Sequence, residues 1–467
     1  MLGRGGGGNR NLCGAGAGMK VPLRREASGG WEVGRPPQGG AGEASDAHFF
    51  AMKILVTGKG GREHALLTAL AESPARPRLF CWPGSDAIFE IAERTRARDL
   101  PSLIGYMLEE EIDLCVAGEE SLLVQDQGLA NLCEAAGIPC WGPFKESAQL
   151  EASKEFAKQF LVRHGIPTAG YVAVETIAEA RAAVTAVPVV LKFDGLAAGK
   201  GVAVCGTLAE AEAFMEAVLE KRQFGPGRMV VEECLEGPEL SVFCSLVDDQ
   251  YQILTPARDY KRARDGDEGP NTGGMGAVAS PELVSAEVMA EVERRIVQPT
   301  VAGLQRDGLR YRGFLYFGLM LTAEGPKVIE YNCRFGDPEC EAVMPLFGGD
   351  LARYLERAAQ GDLQPELLEP RPGWSVCVIL ASAGYPETSR SGDVIRGLAA
   401  VDGVRVYHCG TRRNAAGEFE SAGGRVLAVV AQAATLAEAR EKVYAEAAKV
   451  DFPGSQRRGD IATLHFS

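Results

Sequence analysis

The chain has 467 residues, more than one ordinary hydrophobic core organises, so three or four domains are expected. Apolar residues make up 46% and charged residues 24%, the balance of a folded globular protein, and no apolar run approaches the ~20 residues of a membrane helix. A net charge of -14 argues against a nucleic-acid partner, because such proteins meet phosphate with basic stripes. The twelve cysteines include no C-x-x-C pair, so neither a disulfide framework nor a zinc site is indicated, and they read as reduced thiols of a cytosolic enzyme.

Residues 1–51 hold 14 of the 57 glycines and few large apolar side chains. They are expected to be disordered and dispensable, since they cannot offset chain entropy by burial. From Met52, "KILVTG", a helix from about Glu63, "RLFCW", a helix near "LPSLIGYMLEEE", "IDLCVAG" and a helix through "GLANLCEAAG" alternate. That alternation implies a parallel sheet covered by helices. A second unit follows Ser153, with strands at "VPVVLKF", "VAVCG" and "RMVVEECL" and an Ala/Glu-rich helix between the last two. A last, smaller α+β unit starts near Gly373 and ends in the helical stretch "TLAEAREKVYAEAAKV".

"GKGGREHA" follows the first strand, and Gly58, Gly60 and Gly61 can bring backbone amides to an anion at a helix N-terminus, with Arg62 to neutralise it. A dinucleotide site is excluded, because Glu63 replaces the third glycine of G-x-G-x-x-G and no acid ends the second strand to hold a ribose. A tight strand-to-helix turn is the other reading of this stretch. In "EASKEFAKQF", Ser153 is an N-cap candidate, Phe156 and Phe160 make an apolar stripe, and Lys154 sits in the first turn, where it opposes the helix dipole unless an anion is near.

"VLKFDGLAAGKGVAVC" reads as strand, glycine loop, strand, with Lys192 alternating outward from Leu191. Three residues separate Gly195 from Gly199 and Gly201 follows Lys200, so this is no Walker A loop. It is either a phosphate-covering loop that uses its amides and Lys200, or a plain hairpin. "VVEECLEGPELS" ends a strand at Glu232 and Glu233 and reaches Glu239. A strand end can pair its backbone with an adenine edge and a carboxylate can hold ribose hydroxyls, although an acidic solvated turn has the same composition. In "KVIEYNCRFGDPE", Glu330 and Asn332 share a face of a strand, two oxygen ligands suited to a hydrated Mg²⁺ whose other ligands are phosphates. Arg334, Asp337 and Glu339 follow on the turn.

Lys154, Lys192, the Gly199-Lys200-Gly201 loop, Glu232 to Leu235, Glu239 and the Glu330/Asn332 pair occur in the order of an ATP-grasp enzyme. More narrowly, "GGREHA", "DGLAAGKGV", "GPNTGGMGA" and "VIEYNCRFGDPE" resemble the phosphoribosylamine–glycine ligase (glycinamide ribonucleotide synthetase) family, from Met52 to near the C-terminus. The resemblance implies a Rossmann-like domain at 52–152, an ATP-grasp domain at 153–372 with a lid near 172–243, and a C-terminal α+β domain at 373–467. It implies ATP as co-substrate, Mg²⁺ or Mn²⁺ at Glu330 and Asn332, and ATP contacts from Lys154, Lys192, Gly199, Lys200, Gly201, Glu232, Glu233, Leu235 and Glu239.

Substrate contacts are implied at Gly60, Gly61, Arg62, Gly84, Asp259, Lys261, Asn271, Gly273 and Gly274, and catalytic roles for Lys200, Arg334 and Asp337. The implied protein is a cytoplasmic monomer acting on glycine, 5-phosphoribosylamine and ATP. Another carboxylate–amine ligase of the same fold, or a non-catalytic nucleotide sensor, is the alternative. The chain departs from the family pattern at Lys59, Glu119 and Tyr260, positions expected near the phosphoribosylamine and amino-acid pockets.

Overall fold

Ile54, Leu55 and Val56 are fully buried, so Lys53–Gly58 is a strand covered on both faces, as its unbroken apolar run requires. It lies at the centre of a five-stranded parallel sheet in the order Glu93–Arg94, Arg78–Pro83, Lys53–Gly58, Leu114–Ala117, Cys140–Trp141. Strand order reverses on either side of Lys53–Gly58, which opens a crevice at the strand's carboxyl end, where the helix Gly61–Ala71 begins. The structure, a computed structural model, describes residues 52–197 and 201–463. The expectations for residues 1–51 and for Gly199 and Lys200 fall outside the described residues.

A four-stranded antiparallel sheet, Tyr171–Val174, Met229–Glu233, Val189–Phe193 and Val202–Cys205, carries the helices Ile177–Ala183 and Leu208–Met215. Leu191, Phe193, Ala211, Met215, Val218 and Met229 give it a core of its own. Both helices start from a threonine whose side chain accepts the third amide while a glutamate returns the bond.

The largest sheet has nine strands. Gly325–Asn332 lies at one end, followed by Arg312–Thr322, Glu239–Val247, Ala257–Asp259, Gly276–Ala279, Trp374–Ala381, Arg425–Ala433 and Arg405–His408, with Gln250–Ile253 beside Glu239–Val247. Trp374–Ala381 pairs antiparallel with Gly276–Ala279, so the last segment is hydrogen-bonded into the central sheet rather than standing beside it.

The sulfurs of Cys115, Cys133 and Cys140 lie within 4.8 Å of one another, so these three thiols are grouped in space although no C-x-x-C spacing joins them. Spacing along the chain hides the group, because the parallel pairing of Cys115 with Cys140 and the helix Leu129–Ala135 assemble it.

Candidate active site

Two adjoining clefts lie between the parallel sheet's crevice, the small antiparallel sheet and the end of Gly325–Asn332. The smaller is about 280 Å³ and includes Arg62, Lys154, Gly201, Gly273, Asn332, Arg334 and Asp337. The larger, about 500 Å³, includes Lys192, Glu232, Glu233, Leu235, Glu239 and Asn271. Asp259, Lys261 and Glu330 line both.

Glu330 and Asn332 are placed by an irregularity. Pairing runs from Gly318–Glu330 to Leu319–Val328, which leaves Ile329 as an extra residue that re-aims the strand end. The Lys192 ammonium donates to the freed side of this bulge, the Ile329 carbonyl, at 2.9 Å. Burial pushes the Glu330 carboxyl up, but Lys261, Lys192, Lys154 and Arg334 together hold it below its usual range, so it stays ionised. The Asn332 nitrogen donates to Glu151 at 3.1 Å and to the Tyr331 carbonyl at 3.3 Å, which leaves its oxygen as the free acceptor. One carboxylate and one amide oxygen are hard donors that fit a small divalent cation.

Arg334 is clamped. Its Nη2 lies 2.7 Å from Glu151 and its Nε 3.1 Å from Glu120, and Glu151 also accepts the Cys333 amide at 2.6 Å. Asp337 pairs with Arg425 at 3.0 Å, and the same guanidinium donates to the Asp337 carbonyl. Asp259 is pushed up to about 8 by burial, against the pull of Lys261, with Glu339, Glu239 and Glu330 adding to the rise. Lys261 itself sits 2.7 Å from Glu239.

In the larger cleft Glu232 lies between two buried lysines, Lys192 and Lys158, each at 3.0 Å. Burial lowers the Lys158 ammonium to about 8. The Glu233 amide is taken by the Gly170 carbonyl at 3.0 Å, so it is the carbonyl of that residue that a base edge can use. Ser153 caps the helix Lys154–Arg163, its hydroxyl accepting the Phe156 amide at 3.1 Å.

The glycine turn at the first helix is filled from within. Glu63 accepts the Lys59 and Gly60 amides at 3.1 and 2.7 Å and pairs with Arg62 at 2.7 Å. Gly58, at φ +123, leaves the room, since a Cβ there would lie 2.4 Å from the Glu63 side chain. Arg62 also donates to the Phe335 carbonyl at 3.2 Å, so its guanidinium faces the smaller cleft already held.

Four expected glycines lie outside both cleft linings. Gly60 and Gly61 border Asp337 and Glu341, Gly274 packs on the Pro338 ring at φ +108, and the Gly84 amide closes onto the Gly58 carbonyl at 3.0 Å. Tyr260 corrects an expectation: it is buried away from the clefts, its hydroxyl accepting the Ala462 amide at 3.0 Å and its ring facing Arg458. A phenol on the far face of a strand's end cannot reach a pocket that Asp259 and Lys261 line.

Sequence reasoning did not find Glu120, Glu151, Lys158, Tyr316 or Arg425. Glu120 adjoins the noted Glu119, and Arg425 opens the apolar run "RVLAVV" after two glycines, a signal that an arginine is carried into a core.

Models of the phosphoribosylglycinamide synthetase N domain, ATP-grasp (A) domain and C domain match residues 52–151, 152–340 and 375–464. A phosphoribosylamine–glycine ligase of Phenylobacterium zucineum is 43% identical over 421 residues, covering 88% of this chain and 98% of the relative. That of Caldanaerobacter subterraneus is 40% identical over 417 residues, with 88% and 99% covered. The chain belongs to the phosphoribosylamine–glycine ligase family. The family's crystal structure from Thermotoga maritima superposes with a TM-score of 0.77 at 33% identity, covering 88% of this chain and 100% of that one. The biotin carboxylase of Campylobacter jejuni, 18% identical, reaches a TM-score of 0.66 over 87% and 92% of the two chains, which shows the shared ATP-grasp fold alone. The family places the clefts described above in a multidomain ATP-grasp ligase.

Proposed function

We propose that the chain joins glycine to 5-phosphoribosylamine at the expense of ATP, giving glycinamide ribonucleotide, ADP and phosphate for purine synthesis. A glycine carboxylate oxygen attacks the γ-phosphorus and ADP leaves. The amine of phosphoribosylamine then attacks the acyl carbon, phosphate leaves, and the amine gives up a proton. The observation that carries this reading is the meeting of Glu330, Asn332 and Arg334 with Lys154, Lys192 and Lys261 where the two clefts join.

Magnesium, or manganese in its place, would be held by Glu330 and Asn332 and would offset the phosphate charge. The larger cleft takes the nucleotide, with the Glu233 carbonyl and Leu235 at the base, Glu239 at the ribose, and Lys192 and Lys154 on the phosphates. Gly201 lines the smaller cleft beside them, and contacts from Gly199 and Lys200 to ATP are what the family resemblance implies. Arg334, fixed by Glu120 and Glu151, presents a fixed positive charge to the acyl phosphate, so little reorganisation is needed as charge develops. Asp337 orients the amine of glycine. Arg62 at the crevice, with Asp259, Lys261 and Gly273 on the wall of the smaller cleft, receives phosphoribosylamine, while Gly60, Gly61, Gly84 and Gly274 shape the turns behind it and Asn271 borders the nucleotide. The protein acts as a cytoplasmic monomer.

ADP release is expected with glycine and phosphoribosylamine together and not with either alone; equal release without the amine would refute the assignment. Glu330→Ala is expected to lower turnover by roughly 10²-fold and to raise the Mg²⁺ concentration for half-maximal rate. Asn332→Ala should act in the same direction more weakly, because a neutral oxygen is lost. An unchanged Mg²⁺ requirement in both folded, active variants would place the metal elsewhere.

A further inference from the structure

The proposed reaction uses none of the three thiols grouped in the first sheet. Cys115 comes from Leu114–Ala117, Cys133 from the helix Leu129–Ala135 and Cys140 from the edge strand Cys140–Trp141. Cys115 and Cys140 are direct partners across parallel strands, and the Cys115 amide donates to the Pro139 carbonyl at 2.9 Å, which sets their register. Beyond the helix, the Ile138 amide returns to the Cys133 carbonyl at 2.9 Å, so the chain doubles back and brings Cys140 under Cys133.

Buried thiols serve in many cores as small apolar fillers. Two features set this group apart. All three sulfurs lie within 4.8 Å of one another. Three sulfurs bound to one tetrahedral ion at ~2.3 Å lie about 3.8 Å apart, so modest side-chain rotation closes the triangle. There is also an entrance. Cys115 and Cys133 are fully buried, whereas Cys140 is partly exposed and lines a cavity of about 270 Å³ with Glu134, Phe144, Arg310 and Arg312. An ion can enter there, and a water from the same side can complete four-coordination.

We propose that Cys115, Cys133 and Cys140 form a trithiolate site for a soft, closed-shell cation of the zinc class, separate from the oxygen-ligand pair Glu330 and Asn332. Thiolates select such ions over Mg²⁺, so the two sites can fill side by side in one solution. Binding displaces the thiol protons and ties the sheet's edge strand to its neighbour and to the covering helix. Because the ion holds the folded chain only, it raises stability.

Cd²⁺ titrated into the full chain, reduced with a phosphine and kept in excess Mg²⁺, tests the site. The expected result is an ultraviolet sulfur-to-metal charge-transfer band that saturates near one ion per chain and is displaced by Zn²⁺. Cys133→Ser and Cys140→Ser should each lose the band, and Cys205→Ser, in another sheet, should keep it. Zn²⁺ should raise the thermal midpoint of the parent and leave that of Cys140→Ser unchanged. Since Cys140 is the partly exposed member, its variant carries the test if Cys133→Ser does not fold. Absence of the band, its persistence in Cys140→Ser, or the loss of two reactive thiols to a disulfide under these reducing conditions would overturn the proposal.

Discussion

Glu151, 5% exposed, holds Arg334, the Cys333 amide and the Asn332 amide nitrogen at once. It sets the direction of two residues that the proposed chemistry uses while contributing no atom to it. Removing one partner of a buried pair costs ~3–5 kcal/mol, because the other charge is left without compensation. Glu151→Ala is therefore expected to lower the denaturation midpoint severely, whereas Glu151→Gln keeps the shape and should fold with a turnover lower by about tenfold. Equal turnover in Glu151→Gln and the parent would show that Arg334 needs no such clamp.

The histidines give a pH dependence. Burial lowers His64 to about 4, and burial together with His64 lowers His408 to about 3. His64 Nδ1 accepts the His408 amide at 3.0 Å, and His408 Nδ1 meets Thr411 Oγ1 at 2.8 Å. Both folded values lie below the ordinary 6.5, so between about pH 6.5 and 4 the unfolded chain binds more protons. Their contribution is complete above pH 6.5 and is lost on acidification, on the order of a few kcal/mol. Thermal midpoints from pH 7 to 4 should fall less steeply in His408→Phe than in the parent; parallel curves would count against it.

At the scale of elements, the strand Ala257–Asp259 and its continuation send side chains two ways. Asp259 and Lys261 line the clefts, while Tyr260 between them turns into the core against Arg458 and the Ala462 amide. The departure at Tyr260 thus acts on how the C-terminal segment is held. Tyr260→Phe is expected to cost about 1 kcal/mol from one lost hydrogen bond, with kcat/KM for all three substrates unchanged. A selective rise in one substrate's KM would put the phenol back in the pocket.

At the scale of the molecule, Gly276–Ala279 is buried at all four positions because Trp374–Ala381 pairs along it. A chain ended at residue 372 would bare a buried apolar strand edge, which invites association. Residues 52–372 expressed alone are expected to aggregate, and the intact chain should show the nine-stranded sheet melting in one transition. A monomeric 52–372 fragment, or a separate cooperative melt for 373–467, would show two independent units.

The strands and helices of residues 52–150 were legible because their apolar runs and glycine turns are local signals. So was the placement of Glu330 and Asn332 on one strand, since the period of a strand puts alternate residues on one face. The bulge at Ile329 was not legible, because it exists only in the register against Arg312–Thr322. Glu63 could be read as the residue that spoils a dinucleotide fingerprint, but that its own carboxylate takes the turn's amides depends on where Gly58 and Gly118 leave space. Glu120, Glu151 and Arg425 stand far along the chain from the partners they hold at Arg334 and Asp337. Composition and periodicity specify which residues must be buried and which chemistry the motifs can supply. Which distant charges meet, and which thiols gather, is decided only when the sheets pair and each buried charge finds a partner in a medium that penalises it alone.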